Sequence, residues 1–362
     1  MKTKQSLSLF ISLLFCIPTL GQMLQGTVYD AVTKKPVPDA FVYLDGTSVS
    51  TTTDLSGHFE LKTYGVLNTQ LIVHHLSYSL YAIPNPFQSL PDIIYLQERD
   101  RELNEAVVTV DRFTRAQKIK AFKEQFLGNS RAGESCEIIN EDDIVVSYDM
   151  NTQTLKAFSY NPIIVVNHFL NYRIVFNLVD FRTVFGGGKI DYPNTRQNFY
   201  AVTSSFTDLK AVNKTIQKRR EEAYKHSLPL FYKNLTNQTL EKAKYKIFKK
   251  QTQINPSQYF EIKDSLSLKY VRIKPNPDTN TQNTTTNSMF RVIHPADNPS
   301  TFLSIIVLFN RNIQSEIIFY TDEFFADKYG NTDAFDKIIC SGHFGNLRAG
   351  DMLPLDYDPK AP

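Results

Sequence analysis

The sequence predicts a mainly β protein with some α: a small N-terminal β-sandwich followed by a larger β-rich α+β domain. Three observations carry this. Short β-branched and aromatic runs alternate with turn chemistry over residues 23–111. An amphipathic stretch suited to a linker helix follows over 112–128. Strand-like alternation then resumes and continues, with helical interruptions, over 134–362.

The first 21 residues are expected to be a signal peptide. Lys2 and Lys4 precede the apolar run Leu9–Ile17, Pro18 breaks it, and Thr19 and Gly21 supply small residues before Gln22. That run is too short to span a bilayer, and no later stretch reaches 18 consecutive apolar residues. Forty Lys and Arg stand against 37 Asp and Glu, a net charge of +3. Removing Lys2 and Lys4 leaves about +1, so bulk charge supports no nucleic-acid partner. Export leaves two cysteines, Cys136 and Cys340, which can stay as free buried thiols or form one disulfide.

In the first domain, Gln25–Tyr29 reads as a strand and residues 30–36 as a turn-rich connection. Phe41–Leu44 is the second strand, stopped by Asp45-Gly46, where glycine accepts positive φ. Thr51–Thr53, Phe59–Leu61, Leu71–His75 and Ile93–Leu96 follow, with a tight turn at Asp54–Gly57. Glu105–Val110 is expected to close the set. Phe59 and Leu61 lie two apart and share the core face.

Thr114–Leu127 places Ile119, Phe122 and Phe126 at helical spacing, with Thr114 as cap and Gly128 as stop. Its Lys118, Lys120 and Lys123 read as a solvated face. Strands are expected at 143–149, 153–158, 163–167 and 172–184. Gly186–Gly188 reads as a turn without phosphate-loop spacing. Asp208–Tyr224 is expected as a helix with an apolar stripe of Leu209, Val212 and Ile216, and its run Lys218–Glu222 as surface ion pairs. Glu241–Lys250 reads as helix turning into strand. Lys274–Ser288 is a polar insertion. Residues 301–310 and 313–320 form a hairpin about Asn310–Asn312, and 335–340 a last strand.

The pattern Gly26-x-Val28-x-Asp30, then Pro36-Val37-x-x-Ala40-x-Val42-x-Leu44, then Thr53-Asp54-x-x-Gly57-x-Phe59-x-Leu61 resembles the carboxypeptidase-regulatory-like domain. The resemblance implies a transthyretin-like β-sandwich and covers about 85 residues. Leu103-x-Glu105-x-Val107-Val108-x-Val110 resembles the strand ending this domain in cell-envelope proteins of Bacteroidetes, and the C-terminal part resembles a region of unknown activity that follows it there. In metallocarboxypeptidases such a domain is an appendage to a separate zinc catalytic domain.

No zinc-peptidase pattern accompanies it. None of His58, His74, His75, His168, His226, His294 and His343 has Glu three residues on, and His74 and His75 point to opposite faces of a strand. There is no His-Glu-x-x-His and no Gly-x-Ser-x-Gly. Glu141, Asp142, Asp143, Asp322 and Glu323 are the carboxylates that could form an acid pair, and surface charge is the simpler reading. No catalytic, cofactor-binding or metal residue is assigned. The expectation is an exported cell-envelope protein (periplasmic, outer-membrane-associated or at the cell surface) acting as a non-catalytic binding or structural module. Its partner would be a protein or glycan, with no nucleic acid and no transmembrane helix in the mature chain. The alternatives are an accessory of carbohydrate or nutrient uptake, and an unrecognised hydrolase related to carboxypeptidase systems.

Overall fold

The computed structural model describes residues 22–99, 112–274, 303–334 and 337–359. The signal segment, the strand at 105–110, residues 275–288 of the polar insertion and His294 lie outside the described residues. Strand at 43% against helix at 18% makes the chain mainly β. Buried apolar residues fall into three clusters, one in the N-terminal sandwich and two in the rest of the chain.

The sandwich holds β1 (Gln22–Asp30), β2 (Phe41–Leu44), β3 (Ser50–Thr52), β4 (His58–Thr63), β5 (Leu71–His74), β6 (Tyr81–Ile83) and β7 (Ile93–Leu96). One sheet runs β4-β1-β7 and the other β3-β2-β5-β6. Val28, Phe59, Leu61 and Ile94 from the first meet Val42, Leu44, Leu71 and Val73 from the second. The Asp54–Gly57 turn forms as the sequence indicates. Asp54 Oδ1 accepts from the Ser56 and His58 amides, and Gly57 has φ +76°. A side chain at Gly57 would meet the Val28 carbonyl at 2.4 Å, so only glycine fits.

The second cluster is built on α1 (Arg115–Phe126), α2 (Arg131–Glu134), β8 (Cys136–Ile138), β9 (Ile144–Asp149), β10 (Thr154–Ser159), β11 (Ile163–Asn167), β12 (Tyr172–Phe185) and β13 (Thr195–Asp208). The fourteen-residue β12 is its spine: β11 and β10 share one flank and β13 covers the other. α1 starts on a capping box, with Thr114 Oγ1 accepting from the Gln117 amide and Gln117 Oε1 from the Thr114 amide. Such a cap contributes about 1 kcal/mol. Phe122 and Phe126 stack on each other and meet Phe181 and Phe176 edge-on at 4.7 and 5.2 Å. The helix is thus part of this core, covering one face of the sheet.

α3 (Lys214–Lys225) packs on the second cluster through Ala223. The third cluster takes α4 (Leu228–Thr236), β14 (Tyr245–Lys249), β15 (Thr252–Gln253), β16 (Phe260–Ser265), β17 (Leu268–Ile273), β18 (Leu303–Phe309), β19 (Ile313–Phe319), β20 (Glu323–Ala326), β21 (Ile338–Ser341) and α5 (Gly342–Asn346). Phe231, Tyr232 and Leu235 of α4 pack over Ile247, Ile305 and Phe319. The β18–β19 hairpin turns at Asn310 and Arg311, both in the left-handed region.

Three local readings are corrected. α3 begins at Lys214 because β13 continues to Asp208 and the Asn213 side chain accepts from the Thr215 and Ile216 amides. Leu209 and Val212 therefore precede it. Arg220, in the run read as surface ion pairs, is 6% exposed. It is ion-paired with Asp208, lies 3.7 Å over the Tyr172 ring and donates to the Leu170 and Asn171 carbonyls. β6, β8, β13, β15, β16, β17 and β20 are strands the pattern did not indicate.

Candidate functional site

Tyr43 and Ile72 project away from the sandwich core, opposite Val42 and Leu44, yet both are fully buried. The β12–β13 pair of the second cluster meets Tyr43. Tyr43 Oη shares a 2.7 Å hydrogen bond with Thr203 Oγ1 and accepts from Asn177 Nδ2 at 2.7 Å. The Asp45-Gly46 turn then lies along the β13 edge like a short extra strand. The Gly46 amide donates to the Ser204 carbonyl, the Phe206 amide to the Thr47 carbonyl, and the Ser204 amide to Asp45 Oδ1.

The chain's last segment closes the junction. The Leu355 amide donates to the Gly46 carbonyl, and Asp356 accepts from the Ser48 amide and hydroxyl. Asp327 Oδ1 accepts from the Tyr329, Gly330 and Asn331 amides, and Oδ2 from the Asn68 amide and Asn331 Nδ2. Burial pushes the Asp45 and Asp327 carboxyls above the ordinary carboxylate range, and these donors oppose the shift. The tail also reaches the second cluster, where the Gly350 amide donates to the Leu127 carbonyl and Asn167 Nδ2 to the Gly350 carbonyl.

Among the histidines, His58 faces Glu60 at 3.7 Å and His168 faces Glu137 at 3.3 Å. His74 is buried, and its pKa is lowered to about 4 by burial, then by Arg99 and His75. The structure does bring His226 and His343 together, with ring centroids 5.5 Å apart, His343 Nε2 3.3 Å from the His226 carbonyl and Glu222 3.2 Å from His226. The cavity beside them is only about 10 Å³, at or below the space for one water and too small for a substrate. Among the described residues no three His, Cys, Asp or Glu gather as a metal site.

The acidic candidates are not brought together. Glu141 pairs with Lys123 at 3.0 Å, and Asp143 accepts from Asn140 and Asn161, all in the second cluster. Asp322 and Glu323 belong to the third, where Glu323 accepts from Tyr270 Oη at 2.6 Å. Cys136 and Cys340 are free, each pushed up to about 12 by burial, which keeps both protonated at neutral pH.

An open groove of about 710 Å³ runs along α1. Ala116, Ile119, Leu127, Gly133 and Cys136 line it, with Arg115, Lys120, Lys123, Glu124, Glu134 and Glu141 around them. Several of these charges are already paired: Lys123 with Glu141, and Lys120 with Glu124 at 3.9 Å. No helix among the described residues is long and apolar enough to cross a membrane.

No curated protein matches the chain. Among solved structures, a 9R-lipoxygenase from Cyanothece is similar at 12% identity and a TM-score of 0.17, over 62% of this chain and 46% of that one. The chain thus spans less than half of the lipoxygenase, and so low a score carries no argument. The CarboxypepD_reg-like domain family matches residues 24–108, a range that reaches all seven strands of the sandwich. The N-terminal sandwich is a carboxypeptidase-regulatory-like domain, consistent with a non-catalytic module.

Proposed function

We propose that the protein is exported to the cell envelope and acts there as a non-catalytic binding module, with the α1 groove as its docking surface for an amphipathic segment of a partner protein. The groove is the observation that carries this reading. Its lining offers apolar area, and its rim carries both charge signs, which complements a mixed-charge peptide better than a polyanion. The thiol it contains is held protonated, a poor nucleophile. Export is supported by the order of charged, apolar and small residues before Gln22.

Ala116 lines the groove and is exposed, so it accepts a photo-crosslinking side chain without disturbing the core. In intact cells that side chain should give a discrete protein adduct, while one at the exposed Leu266 turn should not. Hydrolysis of a peptide panel, or the absence of an adduct specific to position 116, would refute the reading. Intact mass should place the mature N-terminus near Gln22.

A second reading, an accessory of carbohydrate uptake, is favoured by one feature of the sandwich. Tyr29 and Tyr95 sit on its open sheet face with centroids 6.3 Å apart, and Lys34 lies 4.2 Å over Tyr95. Glycan-array binding lost in Tyr95→Ala would select it.

A further inference from the structure

The turn between β11 and β12, His168–Asn171, brings together two cations from separate helices. Arg131 opens α2, and its guanidinium carbon lies 5.0 Å from the Phe169 ring centroid. Arg219, from α3, lies 4.7 Å from the same centroid. The two guanidinium groups are therefore no more than about 10 Å apart. Neither has an ion-pair partner among the described residues. Nearby cations do: Arg220 meets Asp208 and Lys225 meets Glu222. Two like charges on one ring, neither ion-paired among the described residues, repel each other, and a bound anion would relieve that.

The platform is rigid. Asn167 Oδ1 accepts from the Phe169 and Leu170 amides at 3.1 and 2.8 Å, and Ser135 Oγ also accepts from Phe169. Arg220 ties α3 to the same turn through the Leu170 and Asn171 carbonyls. Stacking on the ring occupies a guanidinium face and leaves its N–H edge available. Arg219 spends one N–H on the Phe169 carbonyl at 3.3 Å, and among the described residues no hydrogen bond engages the Arg131 side chain.

We propose that Arg131 and Arg219, held on Phe169, form a binding site for a phosphomonoester dianion. Two guanidinium charges on one ring match the charge of a dianion better than that of a single carboxylate. The phosphate can belong to a lipid headgroup or to a soluble molecule, and the chemistry at the turn is the same.

The test uses the full chain and ³¹P line broadening of glycerol phosphate at low salt. Wild type should broaden the signal saturably. Arg131→Ala/Arg219→Ala should bind at least tenfold more weakly with an unchanged circular dichroism spectrum, and the double lysine variant, which keeps the charge but loses the forks, should not restore full affinity. Phe169→Leu should weaken binding while keeping both arginines. Sedimentation with phosphatidic acid vesicles, but not phosphatidylcholine vesicles, lost in the double alanine variant would identify a lipid source. Binding of glycerol phosphate without vesicle binding would identify a soluble one. Equal broadening by wild type and the double alanine variant, or none by wild type at millimolar ligand, would overturn the site.

Discussion

Gly46 is where the sandwich is most open to a single decisive perturbation. Its φ of +74° lies in the left-handed region, and a side chain there would meet Leu355 Cδ1 at 2.7 Å. Gly46→Val places a branched residue in that conformation at about 1–2 kcal/mol, and the crowding against Leu355 adds about 1–3 kcal/mol. Docking should weaken by about 2–5 kcal/mol, which opens the junction about 30-fold to a few thousandfold more often. Hydrogen exchange reads this directly, because the Ser204 and Phe206 amides donate across the junction to Asp45 and Thr47. Their protection should fall while the sandwich core amides of β1 and β4 keep theirs. Unchanged exchange at Ser204 and Phe206 in a folded Gly46→Val protein would refute the docking role of this turn.

Gly57→Val acts inside the sandwich instead. The blocking atom is the Val28 backbone carbonyl, which cannot step aside, so the sandwich should lose at least about 2 kcal/mol in chemical denaturation and β1 should lose protection with it. Arg220→Ala should cost about 1–3 kcal/mol by stranding the Leu170 and Asn171 carbonyl acceptors, and Arg220→Lys should not restore it because a single ammonium cannot serve both carbonyls and the Tyr172 face. His74 gives the pH dependence. Its folded pKa of about 4 lies below the ordinary 6.5, so the unfolded chain takes up a proton first and stability falls as pH drops from about 6.5 towards 4. Thermal melts of His74→Gln should show a smaller fall over that window.

The sandwich was legible because its turns are local: Asp45-Gly46 and Asp54–Gly57 announce themselves by residue type. Its docked face was legible in principle too. Leu71-Ile-Val-His74 is buried at every position, and an apolar run without alternation marks a strand covered on both sides. β13 was not legible, because TRQNFYAVTSSFTD is largely polar and its strand form comes from pairing along β12 and, at its end, from the Asp45–Thr47 edge. The burial of Arg220 depends on Asp208 and on the Leu170–Asn171 turn, partners no helical periodicity reveals. The α1 groove is likewise a tertiary product. Its Lys120 and Lys123 read as a solvated face, and only the return of the chain through α2 and Glu141 turns that face into a wall.

The returning tail also sets an order of assembly. During synthesis the sandwich is complete long before its covering surface exists. The Tyr43–Ile72 face waits for residues 203–206, and the Ser48 contact with Asp356 spans 308 residues. Closing so long a loop is slow, and it comes last. Until residues 203–206 are made, a nascent chain displays an apolar sheet face, a surface that invites self-association. A stalled or prematurely released chain should therefore be a holdase client, recognised by the strand face that the finished protein hides.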